Sequence, residues 1–157
     1  NFFVFSVCQI SGCITFIANH TLTLYRLFEL FIAGKPSILI IDDDTAILRV
    51  FTKIFQKKGY CVAVAERGVE AIEKISLHQY DIALIDFCLP DMEGTQLFSI
   101  IKNASPNTLK IMLTGKNLFQ GSIEGADALV GKPINPDKLL SIIESKLKNR
   151  NIENEFV

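Results

Sequence analysis

The chain is expected to fold as an α/β domain, with a parallel sheet covered by helices on both faces. Two observations predict this. Short apolar, β-branched runs alternate with longer segments of helical period over residues 35 to 148, the pattern of repeated βαβ units. The apolar runs also stop at polar residues: Ile38-Leu39-Ile40-Ile41 at Asp42 and Asp43, Ile82-Ala83-Leu84-Ile85 at Asp86. An ionised carboxylate at the end of a buried run is costly unless it is paired, metal-bound or wetted at a rim. With 157 residues, 49% of them hydrophobic, the chain has material for one domain with its own core.

The elements follow in order. "SILII" (37 to 41) reads as a buried strand. "DTAILRVFTKIFQKKG" (44 to 59) places Ile47, Leu48, Phe51, Ile54 and Phe55 at helical spacing, and Gly59 stops the helix. "YCVAVA" (60 to 65) is the second strand. "GVEAIEKISLHQ" (68 to 79) is a helix with Val69, Ile72 and Ile75 turned inward. "DIALID" (81 to 86) is the third strand, and "GTQLFSIIKNA" (94 to 104) a helix burying Leu97, Phe98 and Ile101. "LKIMLT" (109 to 114) is the fourth strand, 117 to 124 a short helix, and "ALVG" (128 to 131) the fifth strand. "NPDKLLSIIESKLKNR" (135 to 150) closes the series as an amphipathic helix, with Asn135 as N-cap and Pro136 in the first helical position.

Composition excludes some functions. Sixteen basic against 17 acidic residues give a net charge of −1, with no basic excess to hold nucleic acid. Cys8, Cys13, Cys61 and Cys88 include no CxxC pair, which fits reduced, mostly buried thiols rather than zinc ligands. Residues 1 to 34 differ from the rest, and Arg26 is their first formal charge. A membrane segment within residues 1 to 33 is one reading. A secretory signal would want a basic start. A fragment or mis-set start, with the domain proper beginning at Lys35, is the reading preferred. The expected organisation is an apolar extension (1 to 34), a domain (35 to 149) and a short tail (150 to 157).

Right-handed crossovers place the C-terminal ends of all parallel strands on one rim, where ligands bind in such folds. Asp42 and Asp43, Asp86, Thr114 and Lys132 all fall at those ends, so they are expected to converge. Three carboxylates repel, and an all-oxygen set suits Mg²⁺ better than zinc. An aspartate can serve as nucleophile and become an aspartyl-phosphate, with a metal neutralising the incoming group. A lysine ammonium would pair with phosphoryl oxygens and a threonine hydroxyl would add a hydrogen bond. Taken singly, each residue has a plainer role: helix cap, turn, strand end or solvated surface.

The stretches "ILIIDDD", "DIALIDFCLPDMEG", "IMLTG" and "GADALVGKPI" resemble the receiver domains of two-component response regulators over about residues 36 to 148. The resemblance implies a five-stranded sheet in the order 2-1-3-4-5. It implies that Asp86 is the phosphoacceptor, that Asp43 binds Mg²⁺ directly and Asp42 largely through water, and that the backbone carbonyl of Cys88 is a further ligand. Thr114 would be the switch hydroxyl, Lys132 the phosphate-pairing lysine, Lys132-Pro133 a cis bond, and Pro90 and Gly94 the shapers of the loop after the acceptor. Leu129 stands where the family usually has an aromatic switch residue, Gly115 is the usual small residue, and the 18 positions from Thr114 to Lys132 are fewer than usual.

The function so implied is a cytoplasmic phosphorelay switch. A histidine kinase or phosphotransfer protein supplies the phosphoryl group. The domain catalyses only its own phosphorylation and dephosphorylation, and its output passes to an unidentified protein partner. Too little chain follows for an output domain, so the expectation is a stand-alone receiver or a piece of a longer protein. Two alternatives are a receiver-like interaction module that is never phosphorylated and a haloacid-dehalogenase-type phosphatase. The phosphatase would use Asp42 and Asp44, but has Ala46 where Thr or Val is expected.

Overall fold

The computed structural model describes residues 35–115 and 123–155, with side chains described as far as Asn149. The N-terminal extension and most of the short helix expected over 117 to 124 lie outside the described residues. The elements are β1 (Ser37–Ile41), α1 (Thr45–Lys57), β2 (Cys61–Ala65), α2 (Gly68–Leu77), β3 (Ile82–Asp86), a 3₁₀ turn (Gly94–Gln96), α3 (Leu97–Ala104), β4 (Leu109–Thr114), β5 (Ala128–Gly131) and α4 (Pro136–Glu155). All five strands pair in parallel, in the order β2-β1-β3-β4-β5. The backbone of α4 continues past the expected end at residue 150.

Strand alternation splits the core into two layers. Ile38, Ile40, Ile82, Leu84, Ile111 and Leu113 face α1 and α4, which contribute Leu48, Phe51, Phe55, Leu139 and Ile143. Leu39, Ile41, Ala83, Ile85 and Met112 face α2 and α3, which contribute Ala71, Ile75, Leu97, Phe98 and Ile101. The apolar runs are continuous because both faces are covered.

Local chemistry sets the helix ends. Asp44 caps α1, its Oδ1 accepting from the amides of Ala46 (2.8 Å) and Ile47 (3.4 Å). Gly59 follows α1 with φ +91°, a conformation that favours glycine. Asn135 Oδ1 accepts from the amides of Asp137 and Lys138 at 3.0 and 3.1 Å, the expected cap of α4. One expected inward residue is not inward: Val69 is 54% exposed. The buried stripe of α2 instead runs through Gly68, Ala71 and Ile75. Val69 lies one residue, about 100° of helix, off that line.

Candidate functional site

Asp42 directly follows β1 and Asp86 ends β3. Adjacent parallel strands in register, Ile41 beside Ile85, bring the two carboxylates to one place. Asp42 is fully buried, Asp86 is 6% exposed, and Asp43 is exposed. Carboxylate oxygens of all three lie within 4.8 Å of one another. Lys132, just beyond β5, reaches in from the far side of β4. Its Nζ stands 2.7 Å from Asp42 Oδ2 and 2.7 Å from Asp86 Oδ1.

Thr114, buried, ends β4. It is the residue after Leu113, which faces Asp86 in register. Its backbone carbonyl accepts from the Lys132 amide at 2.6 Å, joining the ends of β4 and β5. The Lys132-Pro133 bond is cis, as expected. Thus all five polar groups expected at strand ends lie on the same rim. Cys88 is exposed in the loop after Asp86. That loop closes as a narrow hairpin, with the Gly94 amide donating to Phe87 O at 2.8 Å and the Leu89 amide to Met92 O at 3.2 Å. At Gly94 a Cβ would collide with the carbonyl oxygen of Asp86, so only glycine fits beside the end of β3.

The electrostatics are unbalanced. Burial, the largest influence, pushes the Asp42 carboxyl above its ordinary pKa, and the Asp86 charge adds to this; Lys132 and the Asp44 amide only partly offset it. For Lys132 burial works downward, but the contacts and charges of Asp42 and Asp86 outweigh it and raise the pKa. Asp42 Oδ1 accepts from the Asp44 amide at 3.0 Å. Buried Oδ2 is held by the Lys132 ammonium at 2.7 Å. Among the described residues, one ammonium is thus set against a cluster of three carboxylates. This oxygen-only set, with its excess of negative charge, fits a hard divalent cation such as Mg²⁺.

Known proteins resemble this chain in sequence and fold. Residues 38–144, more than half of the chain, match the family model for the response regulator receiver domain. The chain belongs to that family. Among curated relatives, the receiver is 29% identical over 136 residues to the transcription factor SKN7 of Saccharomyces cerevisiae, covering 84% of this chain and 21% of the relative. It is 26% identical over 115 residues to the cell cycle transcriptional regulator CtrA of Caulobacter vibrioides, covering 71% and 50%. It therefore spans a half or less of these two relatives' lengths. Among solved structures, a CheY-like receiver domain protein from Methanospirillum hungatei is 40% identical, with a TM-score of 0.69 over 76% of this chain and 99% of that one. The response regulator TrrA of Thermotoga maritima, solved with Mg²⁺-BeF, is 27% identical, with a TM-score of 0.64 over 70% and 97%.

Two further carboxylates lie near the rim, and sequence reasoning missed the second of them. Asp44 is spent on capping α1. Asp91 reaches from the loop after Asp86 to the amides of Gly68 and Val69, both at 2.9 Å. Asp44 follows two candidate metal ligands and was legible as one of several possible caps. No local signal relates Asp91 to residues more than 20 positions earlier. Among the described residues, no helix is long and apolar enough to cross a membrane.

Proposed function

We propose that residues 35 to 149 form a phosphorelay switch in which Asp86 is the phosphoacceptor. A carboxylate oxygen of Asp86 attacks the phosphorus of a phosphohistidine on a histidine kinase or phosphotransfer protein. The new bond is O–P, the N–P bond breaks, and its electron pair returns to the imidazole. Asp42, Asp43, Asp86 and the Cys88 carbonyl would hold Mg²⁺. When bound, that ion supplies positive charge against the phosphoryl oxygens. Lys132 orients the Asp86 carboxylate beforehand and pairs with the phosphoryl group afterwards, while the Thr114 hydroxyl donates to it. The product adds charge beside the joined ends of β4 and β5, which favours a second arrangement of that face for an output protein. Such a switch would work in the cytoplasm, and within this sequence residues 1–33 are the candidate for a membrane tether.

The observation that carries this reading is Lys132 Nζ set 2.7 Å from both Asp42 and Asp86. The phosphatase alternative needs Asp44 as acid, but that carboxylate is committed to the α1 amides. The test is intact mass after incubation with a small acyl phosphate and Mg²⁺. Wild type should gain one phosphoryl group, only with Mg²⁺, and Asp86→Ala none. A folded wild type that gains nothing would support the non-phosphorylated interaction module. A gain that survives in Asp86→Ala would move the acceptor to another carboxylate.

A further inference from the structure

We propose that Asp91 is a positioning residue that clamps the loop after Asp86 onto the N-terminus of α2, and so sets the loop's contribution to Mg²⁺ binding. This rests on the reading of the acidic site given above.

Helix α2 begins without a cap of its own. Arg67, in the N-cap position, makes no side-chain capping bond, so the first amides of the helix need acceptors from elsewhere. Asp91 provides two: Oδ1 accepts from the Gly68 amide and Oδ2 from the Val69 amide, each at 2.9 Å. These bonds hold the Asp91 carboxyl below its ordinary pKa, as expected for a carboxylate that caps. A second contact lies beside them. The Met92 side chain covers Gly68 so closely that a Cβ there would run into it. Two successive loop residues thus grip the first turn of α2, one by hydrogen bonds and one by packing.

The grip acts on a stiff lever. Asp91 and Met92 sit at the tip of the hairpin closed by Phe87 O with Gly94 N and by Leu89 N with Met92 O. Cys88 lies within it, bridged to Glu93, and Asp86 precedes it. Asp86 ends β3, and Asp42 and Asp43 directly follow β1, so the three carboxylates are placed by strand ends. The Cys88 carbonyl depends on the loop, and the loop tip depends on Asp91. A released tip would leave the carboxylates in place and loosen the proposed ligand that the loop carries. Outer groups that orient a ligand affect metal affinity in this way.

The test uses the full chain and MgCl₂ as probe. Mg²⁺ affinity is measured by calorimetry, and amide hydrogen exchange is followed at Gly68, Val69 and residues 87 to 94. Asp91→Ala should weaken Mg²⁺ binding about three- to tenfold, the scale of a lost cap felt in part at a ligand. It should also speed exchange across the hairpin. Phosphoryl uptake should slow at limiting Mg²⁺ and recover when Mg²⁺ saturates. Asp91→Asn, which keeps one acceptor oxygen but turns an NH₂ toward the second amide, should restore only part of the affinity. Gly68→Ala improves helix propensity but displaces Met92, and should still loosen the loop. An Asp91→Ala protein that merely melts earlier, with wild-type Mg²⁺ affinity and wild-type hairpin exchange, would overturn the proposal. A wild type that binds no Mg²⁺ would overturn the reading of the site instead, and unchanged hairpin exchange in Asp91→Ala would then still count against the clamp.

Discussion

Lys132→Met is the most informative single change, because it removes the one cation held between Asp42 and Asp86. At 2.7 Å, each contact carries about 6 kcal/mol of Coulomb attraction at an effective dielectric near 20. That is a gross figure, since burying the ammonium and both carboxylates cost free energy first. Breaking a buried pair by removing one partner typically costs about 3–5 kcal/mol. The lysine side chain is 24% exposed, which places the expected loss near the lower end, about 3 kcal/mol at neutral pH without Mg²⁺. The loss should depend on pH in a specific direction. Without Lys132, the Asp42 carboxyl rises further above its ordinary value, because, of the influences opposing burial, only the Asp44 amide remains. A carboxyl whose folded pKa is raised contributes stability that is present below its unfolded pKa and is lost as pH rises through the folded one. The gap between wild type and variant should therefore be small near pH 4 and widen toward neutrality.

Urea unfolding from pH 4 to pH 8, with and without Mg²⁺, measures this. Mg²⁺ should narrow the gap, since a cation bound to the three carboxylates does part of the lysine's work. A variant as stable as wild type at pH 7.5, or a deficit independent of pH, would refute the reasoning: the lysine would then be a surface group in incidental contact.

Two further outcomes follow from the same geometry. Asp42→Asn keeps an oxygen for the Asp44 amide but removes a buried charge, so without Mg²⁺ it should be more stable than wild type at pH 7 by about 1 kcal/mol. Its advantage should shrink as pH falls, because wild-type Asp42 then gains its proton, and Mg²⁺ should stabilise wild type more than the variant; equal Mg²⁺ stabilisation of both would remove Asp42 from the site. Gly94→Ala places a methyl against the Asp86 carbonyl, and should cost about 1–3 kcal/mol in chemical denaturation while lowering phosphoryl uptake; full uptake at wild-type stability would show that the loop moves aside freely.

The sheet was legible because its physics is local. The central strands β1 and β3 are buried on both faces, so they read as uninterrupted apolar runs, and the alternation with helices leaves few topologies open. The site was legible for a related reason. Where a buried strand stops at a charged residue, that charge must be handled at the rim, so Asp42 and Asp86 were marked by the cost of their own positions, and Lys132, which alone reads as solvated surface, by falling at the same rim. Val69 misled because an apolar residue at the first turn of α2 fits two adjacent stripes, and only the docked Met92 decides that Gly68 is the inward one. Asp91 was illegible as a clamp because its partners are backbone amides, which every residue offers alike.

If Asp86 is the phosphoacceptor as proposed, the rim offers a route of transmission that does not need an aromatic at position 129. Lys132 is tied twice: its side chain to Asp42 and Asp86, and its amide to the carbonyl of Thr114. A phosphoryl group on Asp86 would compete for the side chain, drawing the ammonium from Asp42 toward the new oxygens. The amide bond constrains the backbone of that residue relative to the end of β4. Strain from the competition would then fall on β5, an edge strand, which among the described residues pairs with β4 alone. Its residues Ala128 and Leu129 are only half-buried, so they resist movement less than the central strands β3 and β4, whose residues are all buried. A half-buried edge strand is thus fastened to the group that any change at Asp86 would disturb.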